Sequence, residues 1–251
     1  MDEHRRVSGK ADGKLDLLIV RPYYYKDERI QGILDKVTEI WHNLPIPPNT
    51  KLVSLRFPKF VDRYSVVGRG FPFYARTWYS YRELKIHPAK WLVIADADVL
   101  PTCHDALYKL YNFLAKLPDS VSVVTRNPLI YATNPYEECL LWIYHRLRLS
   151  RNGITLAPSD GLVALRFAAA PYYFNATAGI LPYGTTEFWF SQVLDFKNVA
   201  SFPQSLCSIF NPRFPPPINN ASPAFLHFSG DGLHSYAYAR AVEECWVRIL
   251  G

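Results

Sequence analysis

Apolar positions recur along this chain with two different periods, and the switches between them predict its elements. Residues 15–24 open with an almost unbroken apolar run and predict a buried strand that Pro22 brings to its end, with Arg21 and Tyr23 at the tip. Ile30, Ile33, Leu34, Val37, Ile40 and Trp41 then fall at helical spacing, so 27–44 reads as a helix stopped by Pro45, Pro47 and Pro48. Residues 50–57 alternate as a second strand. Tyr74, Trp78, Tyr81 and Leu84 share one face of a helix over 72–87. The run Trp91-Leu92-Val93-Ile94-Ala95 predicts a third strand, buried on both faces. Leu107, Leu110, Tyr111 and Leu114 mark a helix over 104–117, and 120–125 predicts a fourth strand.

The second half is less regular. Residues 134–151 predict a helix, 159–167 and 171–183 strand-and-turn segments, and 186–196 a short helix. A proline-rich loop over 211–223 precedes a strand running into a Gly-rich turn over 224–236, and 238–250 predicts a closing helix. The order βαβαβαβ at the start implies an α/β fold with a mostly parallel central sheet and crossover helices on its faces. No repeat or linker divides the chain, so a polar tail over 1–14 and one domain over 15–251 are expected.

Composition narrows the function classes. About half of the 251 residues are hydrophobic and the net charge is +6, which excludes a disordered chain. The basic residues form no dense run, which argues against nucleic acid and leaves room for peripheral contact with an anionic membrane. The 38 aromatic residues (17 Tyr, 15 Phe, 6 Trp) suit a core and also suit stacking on sugars, and composition does not choose between them. Cys103, Cys139, Cys207 and Cys245 are far apart with no C-x-x-C pair, so free thiols and a cytoplasmic or other reducing compartment are expected. No run approaches the length of a membrane span, and no signal-peptide core follows the N-terminus.

The chemistry concentrates at Asp96-Ala97-Asp98, where the third strand ends. Two carboxylates one residue apart repel unless something cationic holds them. A hard divalent ion such as Mn²⁺ or Mg²⁺ is the natural partner, and the small Ala97 permits a tight turn. Two other uses of the pair stay open. Asp98 or Thr102 could cap the helix near 104. In haloacid dehalogenase-like phosphatases such a pair serves as nucleophile and acid. That motif ordinarily lies on the first strand, however, and the late acidic pair it needs is represented here by Asp231 alone.

Residues 75–111, "ARTWYSYRELKIHPAKWLVIADADVLPTCHDALYKLY", are followed in order by "YFNATAGILPY" and "LHFSGDG". This succession resembles GT-A fold glycosyltransferases, especially the glycogenin-like group, glycosyltransferase family 8. The resemblance implies a Rossmann-like GT-A domain that moves a sugar from a nucleoside diphosphate sugar, a UDP-sugar favoured, to a hydroxyl of a glycan, glycoprotein or glycolipid. It implies Mn²⁺ or Mg²⁺ held by Asp96, Asp98 and His227, with His234 as the other candidate histidine. The donor would meet Arg21, Pro22, Tyr23, Arg76, Asp96, Ala97, Asn175, Gly179 and Gly230. The family's Lys-Pro-Trp after His-x-x-Gly is replaced by "DGLHSY", and its later Asp-Gln pair is missing. Glu187 stands where a related acid would activate the acceptor, with Asp195 and Gln192 behind it. A non-catalytic module of the same shape is the remaining alternative.

Overall fold

The computed structural model describes residues 14–23, 28–56, 79–126, 150–151, 154–155, 159–170, 199–210, 218–228 and 236–251. Its first half follows the predicted order: β1 (Leu15–Tyr23), α1 (Glu28–Asn43), β2 (Thr50–Arg56), α2 (79–86), β3 (Ala89–Ala95), β4 (Val99–Pro101), α3 (Ala106–Ala115) and β5 (Val123–Arg126). There follow β6 (Ser150–Arg151), β7 (Ile154–Thr155), β8 (Ser159–Arg166), β9 (Val199–Ser201), β10 (Cys207–Phe210), β11 (Phe225–Phe228) and α4 (Tyr236–Leu250).

The main sheet has the order β2-β1-β3-β8-β5-β9. β1, β2, β3, β5 and β9 run one way, and β8 runs against them between β3 and β5. Successive strand residues face opposite sides, as the pleat requires. Leu17, Ile19, Trp91, Val93 and Ala164 therefore pack with Trp41 of α1, Leu107 and Leu110 of α3 and Val242 of α4. Leu18, Val20, Leu92, Ile94 and Val163 pack on the other face with Leu84 of α2. The fold is thus a mixed α/β sandwich, with helices covering both faces of a predominantly parallel sheet.

Pro22 does not stop β1, which continues to Tyr23. Pairing with β3 ends at Val20, while pairing with β2 runs on to Tyr23, so Pro22 sits where one side of the strand is already unpaired. A missing N–H is tolerated at such a position. The second sheet, β10-β11-β4, is small, with β11 parallel to β10 and antiparallel to β4. It grows directly from the end of β3.

Three expectations change. Ser150–Arg151 is strand β6, paired with β7 across the two residues Asn152-Gly153, and does not belong to a helix over 134–151. Pairing with β7 commits these two residues to a ladder instead of a helical turn, and the rest of that segment lies outside the described residues. β5 begins at Val123 because the chain still turns at 119–122, where Val121 N–H donates to the Pro118 carbonyl. Helix α3 begins at Ala106 with Asp105 at its N-cap position and no side-chain capping bond, so neither Asp98 nor Thr102 caps it. Thr102 Oγ1 donates instead to the Pro223 carbonyl. The segments 171–183 and 186–196 lie outside the described residues. Among the described residues no helix is long and apolar enough to cross a membrane, and Cys103, Cys207 and Cys245 are free thiols.

The core predicts a sharp contrast in stability. Leu107→Ala, at a fully buried position of α3, is expected to cost about 2–5 kcal/mol in urea unfolding. Glu243→Gln, which removes the exposed ion pair of α4 with Lys36 of α1, is expected to stay within about 1 kcal/mol.

Candidate active site

The Asp96–Asp98 turn lies at the carboxyl end of β3, between β1 and β8, where ligands of open α/β sheets bind. Asp96 N–H donates to the Gly161 carbonyl of β8 at 2.8 Å, so the turn leaves the sheet from a fixed point. Val99 N–H closes the turn on the Asp96 carbonyl at 3.1 Å, and β4 follows at once. β4 then pairs with β11 in a register that sets His227 opposite Val99. That register places the imidazole beside Asp98. A slip of one residue would turn His227 to the other face.

His227 Nε2 lies 3.5 Å from Asp98 Oδ1, and the imidazole is buried. Asp98 Oδ1 is itself buried and has no hydrogen-bond partner. A buried carboxylate oxygen without a hydrogen bond, 3.5 Å from an imidazole nitrogen, is a pair of electron donors that a cation could join. Neighbouring ligands of a cation with bonds of about 2.1 Å stand roughly 3 Å apart, so the pair fits a hard or borderline divalent ion. Asp96 is half-buried on the same turn. Among the described residues, however, no group of three His, Cys, Asp or Glu gathers around one point, so the structure joins two of the three expected ligands.

Gly161 explains why the histidine fits. A Cβ at this position would lie 2.2 Å from His227 Cε1 and 2.3 Å from Nε2, inside the ring's own volume. Glycine is needed there because the imidazole packs face-on against the β8 backbone. The sequence carried Gly161 in plain view, but its neighbour is invisible without the pairing of β3 with β8.

Arg21 is fully buried at the carboxyl end of β1. Its guanidinium lies 5.0 Å from the Trp41 ring centroid, and Nη1 donates to Thr38 Oγ1 at 3.4 Å. Nε and Nη2 have no hydrogen-bond partner. Burial pulls its pKa down to about 10, against the opposing influence of the Tyr238 and Tyr23 phenols, and it stays charged at neutral pH. Pro22 is buried, and Tyr23 is half-buried with its phenol pushed upward mainly by burial. Ala97 is half-buried at the centre of the turn. Arg76, Asn175, Gly179, Glu187, Gln192, Asp195, Gly230, Asp231 and His234 lie outside the described residues.

Two residues of this site carried no chemical signal in the sequence. Trp41 Nε1 donates to the Val99 carbonyl and Tyr238 Oη donates to the Ala97 carbonyl, each at 3.0 Å. Trp41 read as part of an apolar helix face and Tyr238 as the start of another helix. Only the polar atom on each ring hinted at a second role.

No family pattern matches the chain, and no curated protein matches it in sequence. Solved structures match its fold. A glycosyltransferase involved in glycosylation of the major capsid of PBCV-1 is 12% identical with a TM-score of 0.55, over 91% of this chain and 98% of that one. Mouse xyloside xylosyltransferase 1 is 9% identical with a TM-score of 0.54, over 88% and 99%. The bifunctional glycosyltransferase WbbM is 11% identical with a TM-score of 0.55, over 96% of this chain and 53% of WbbM. At such identities the likeness establishes a shared GT-A fold.

The packing of His227 on β8 gives a direct test. Gly161→Ala is expected to destabilise the protein by about 1–3 kcal/mol in urea unfolding, and to shift the His227 ring resonances in a histidine-selective NMR spectrum.

Proposed function

We propose that this chain is a metal-dependent glycosyltransferase of the glycogenin-like kind. It moves a sugar from a nucleoside diphosphate sugar, a UDP-sugar favoured, to a hydroxyl of a glycan, glycoprotein or glycolipid. The observation that carries the reading is the buried Asp98 Oδ1, which has no hydrogen bond and faces His227 Nε2 at 3.5 Å, at the ligand-binding end of a GT-A sheet. The shared fold with solved glycosyltransferases supports it.

In this reading Asp98 and His227 hold Mn²⁺ or Mg²⁺, with Asp96 as the third protein ligand. A cation held there would supply positive charge against the charge that develops on the departing diphosphate. The chain's own groups do the remaining work. Arg21 supplies a fixed positive charge at the tip of β1, in a low-dielectric setting where charge acts further than in water. Tyr23 offers a ring for the base, beside Pro22. Arg76, Ala97, Asn175, Gly179 and Gly230 line the donor. Glu187 is the carboxylate assigned to take the proton of the acceptor hydroxyl, with Asp195 and Gln192 as the next candidates behind it. The phosphatase alternative loses its support, because the Asp-x-Asp lies on β3 of a GT-A sheet and not on the first strand.

Calorimetry tests the reading. UDP or GDP, each with and without Mn²⁺, is titrated into the wild-type protein and into Asp98→Ala. Metal-dependent nucleotide binding is expected, weakened by more than about 100-fold in the variant, beyond the loss caused by outer-shell changes. A folded protein that binds no nucleoside diphosphate would return the reading to a non-catalytic module.

Arg21 makes a second prediction. An incompletely paired buried cation is a poor stabiliser, and methionine replaces its bulk while keeping an aromatic contact. Arg21→Met is therefore expected to leave the unfolding midpoint unchanged or raised, while UDP affinity in the presence of Mn²⁺ falls.

A further inference from the structure

The backbone of residues 96–99 is saturated with specific donors. The Asp96 carbonyl accepts from Val99 N–H at 3.1 Å and the Asp98 carbonyl from Phe228 N–H at 3.1 Å. The Ala97 carbonyl accepts from Tyr238 Oη and the Val99 carbonyl from Trp41 Nε1, each at 3.0 Å. Two of these donors are thus side chains from helices that carry none of the expected cation ligands. Tyr238 holds the peptide unit that precedes Asp98, and Trp41 holds the unit that follows Val99, one residue beyond it.

The same two side chains also grip the strand that carries the histidine. The Trp41 ring stacks on Phe225 at 5.4 Å with an interplanar angle of 26°. The Tyr238 ring meets Phe228 edge-on at 4.9 Å and 68°. Phe225 and Phe228 bracket His227 on β11. Each aromatic residue therefore bonds the aspartate turn through its polar atom and packs against the histidine strand through its ring. Arg21 lies on Trp41 and adds a cation–π contact that fixes that ring further.

We infer that Trp41 and Tyr238 are positioning residues that set the distance and direction between Asp98 and His227 before any cation arrives. The inference rests on the metal-dependent reading above and extends it. The carboxylate direction of Asp98 follows from the torsions on either side of its α-carbon. Those torsions are restrained by the Tyr238 bond on the Ala97 carbonyl and the Phe228 bond on the Asp98 carbonyl, while the Trp41 bond on the Val99 carbonyl keeps the next peptide unit from turning to release them. A carbonyl stripped of its buried donor turns to find another, and the carboxylate turns with it. Preorganisation of this kind appears as affinity, because the ordering cost is met in folding and not in binding.

Mn²⁺ binding provides the readout. The aqueous Mn²⁺ EPR signal is followed as protein with excess UDP is added, against a blank with matched UDP, and urea unfolding is measured alongside. Tyr238→Phe keeps the edge-on ring and removes one hydroxyl, and is expected to weaken Mn²⁺ binding about 3- to 10-fold. Trp41→Phe, which removes the indole donor, is expected to act in the same direction. Val242→Ala trims the core face of the same helix α4 without touching the turn, and is expected to lose stability while holding Mn²⁺ affinity within about twofold. Unchanged Mn²⁺ affinity in both Tyr238→Phe and Trp41→Phe, or an equal loss in Val242→Ala, overturns the inference. If the wild type binds Mn²⁺ and Asp98→Ala does not, such a result leaves the metal site standing without these supports. If the wild type binds no Mn²⁺, the metal reading and this inference fall together.

Discussion

The arrangement depends on one constraint: the carbonyls of residues 96–99 must each find a donor where water is largely excluded. A buried carbonyl left without one costs about 1–3 kcal/mol, enough in sum to erase much of a domain's stability. The turn solves this by drawing on α1, β11 and α4 as well as its own Val99 N–H, while β8 receives the Asp96 N–H. The main sheet, the small sheet and two helices therefore converge on a few residues. Their positions relative to one another are fixed by hydrogen-bond direction as well as by apolar packing.

Inside that frame the fold tolerates groups that local rules would reject. Asp98 Oδ1 and two nitrogens of Arg21 are buried without hydrogen-bond partners. Glu83 of α2 is also buried, with Arg82 3.6 Å away as its ion-pair partner. Violations of this kind are expected where a chain serves something other than its own stability. Two of them fall at the carboxyl ends of β1 and β3, the end at which open α/β sheets bind their ligands. Trp41 links them, since its ring carries the Arg21 cation and its indole N–H holds the turn of Asp98.

Much of this was legible in the sequence, and the rest was hidden for identifiable reasons. The stripe from Ile30 to Trp41, the run 91–95 and the spacing of Leu107, Leu110 and Leu114 announced α1, β3 and α3, because each is long enough to show a period. Asp98 and His227 were paired by resemblance, and the structure brings them together through the β4–β11 register. β4, β9 and β10 span three or four residues and have no period to read. The reversed direction of β8 depends on partners that no local pattern specifies. Trp41 and Tyr238 looked like ordinary core residues, because hydrogen-bond donors on large rings show their use only when an acceptor is in place.

The small sheet also governs when the site can exist during folding. β4 comes before the middle of the chain, while β10, β11 and α4 come far along it. Their pairing closes a loop of more than a hundred residues, and contacts of such range form late and slowly. A chain emerging from the ribosome can complete α1 and β1–β3 while Asp98 still lacks both His227 and the Tyr238 hydroxyl. The Asp98–His227 pair therefore belongs to the finished molecule alone. Partly folded chains carry the aspartates without the geometry that would let them act.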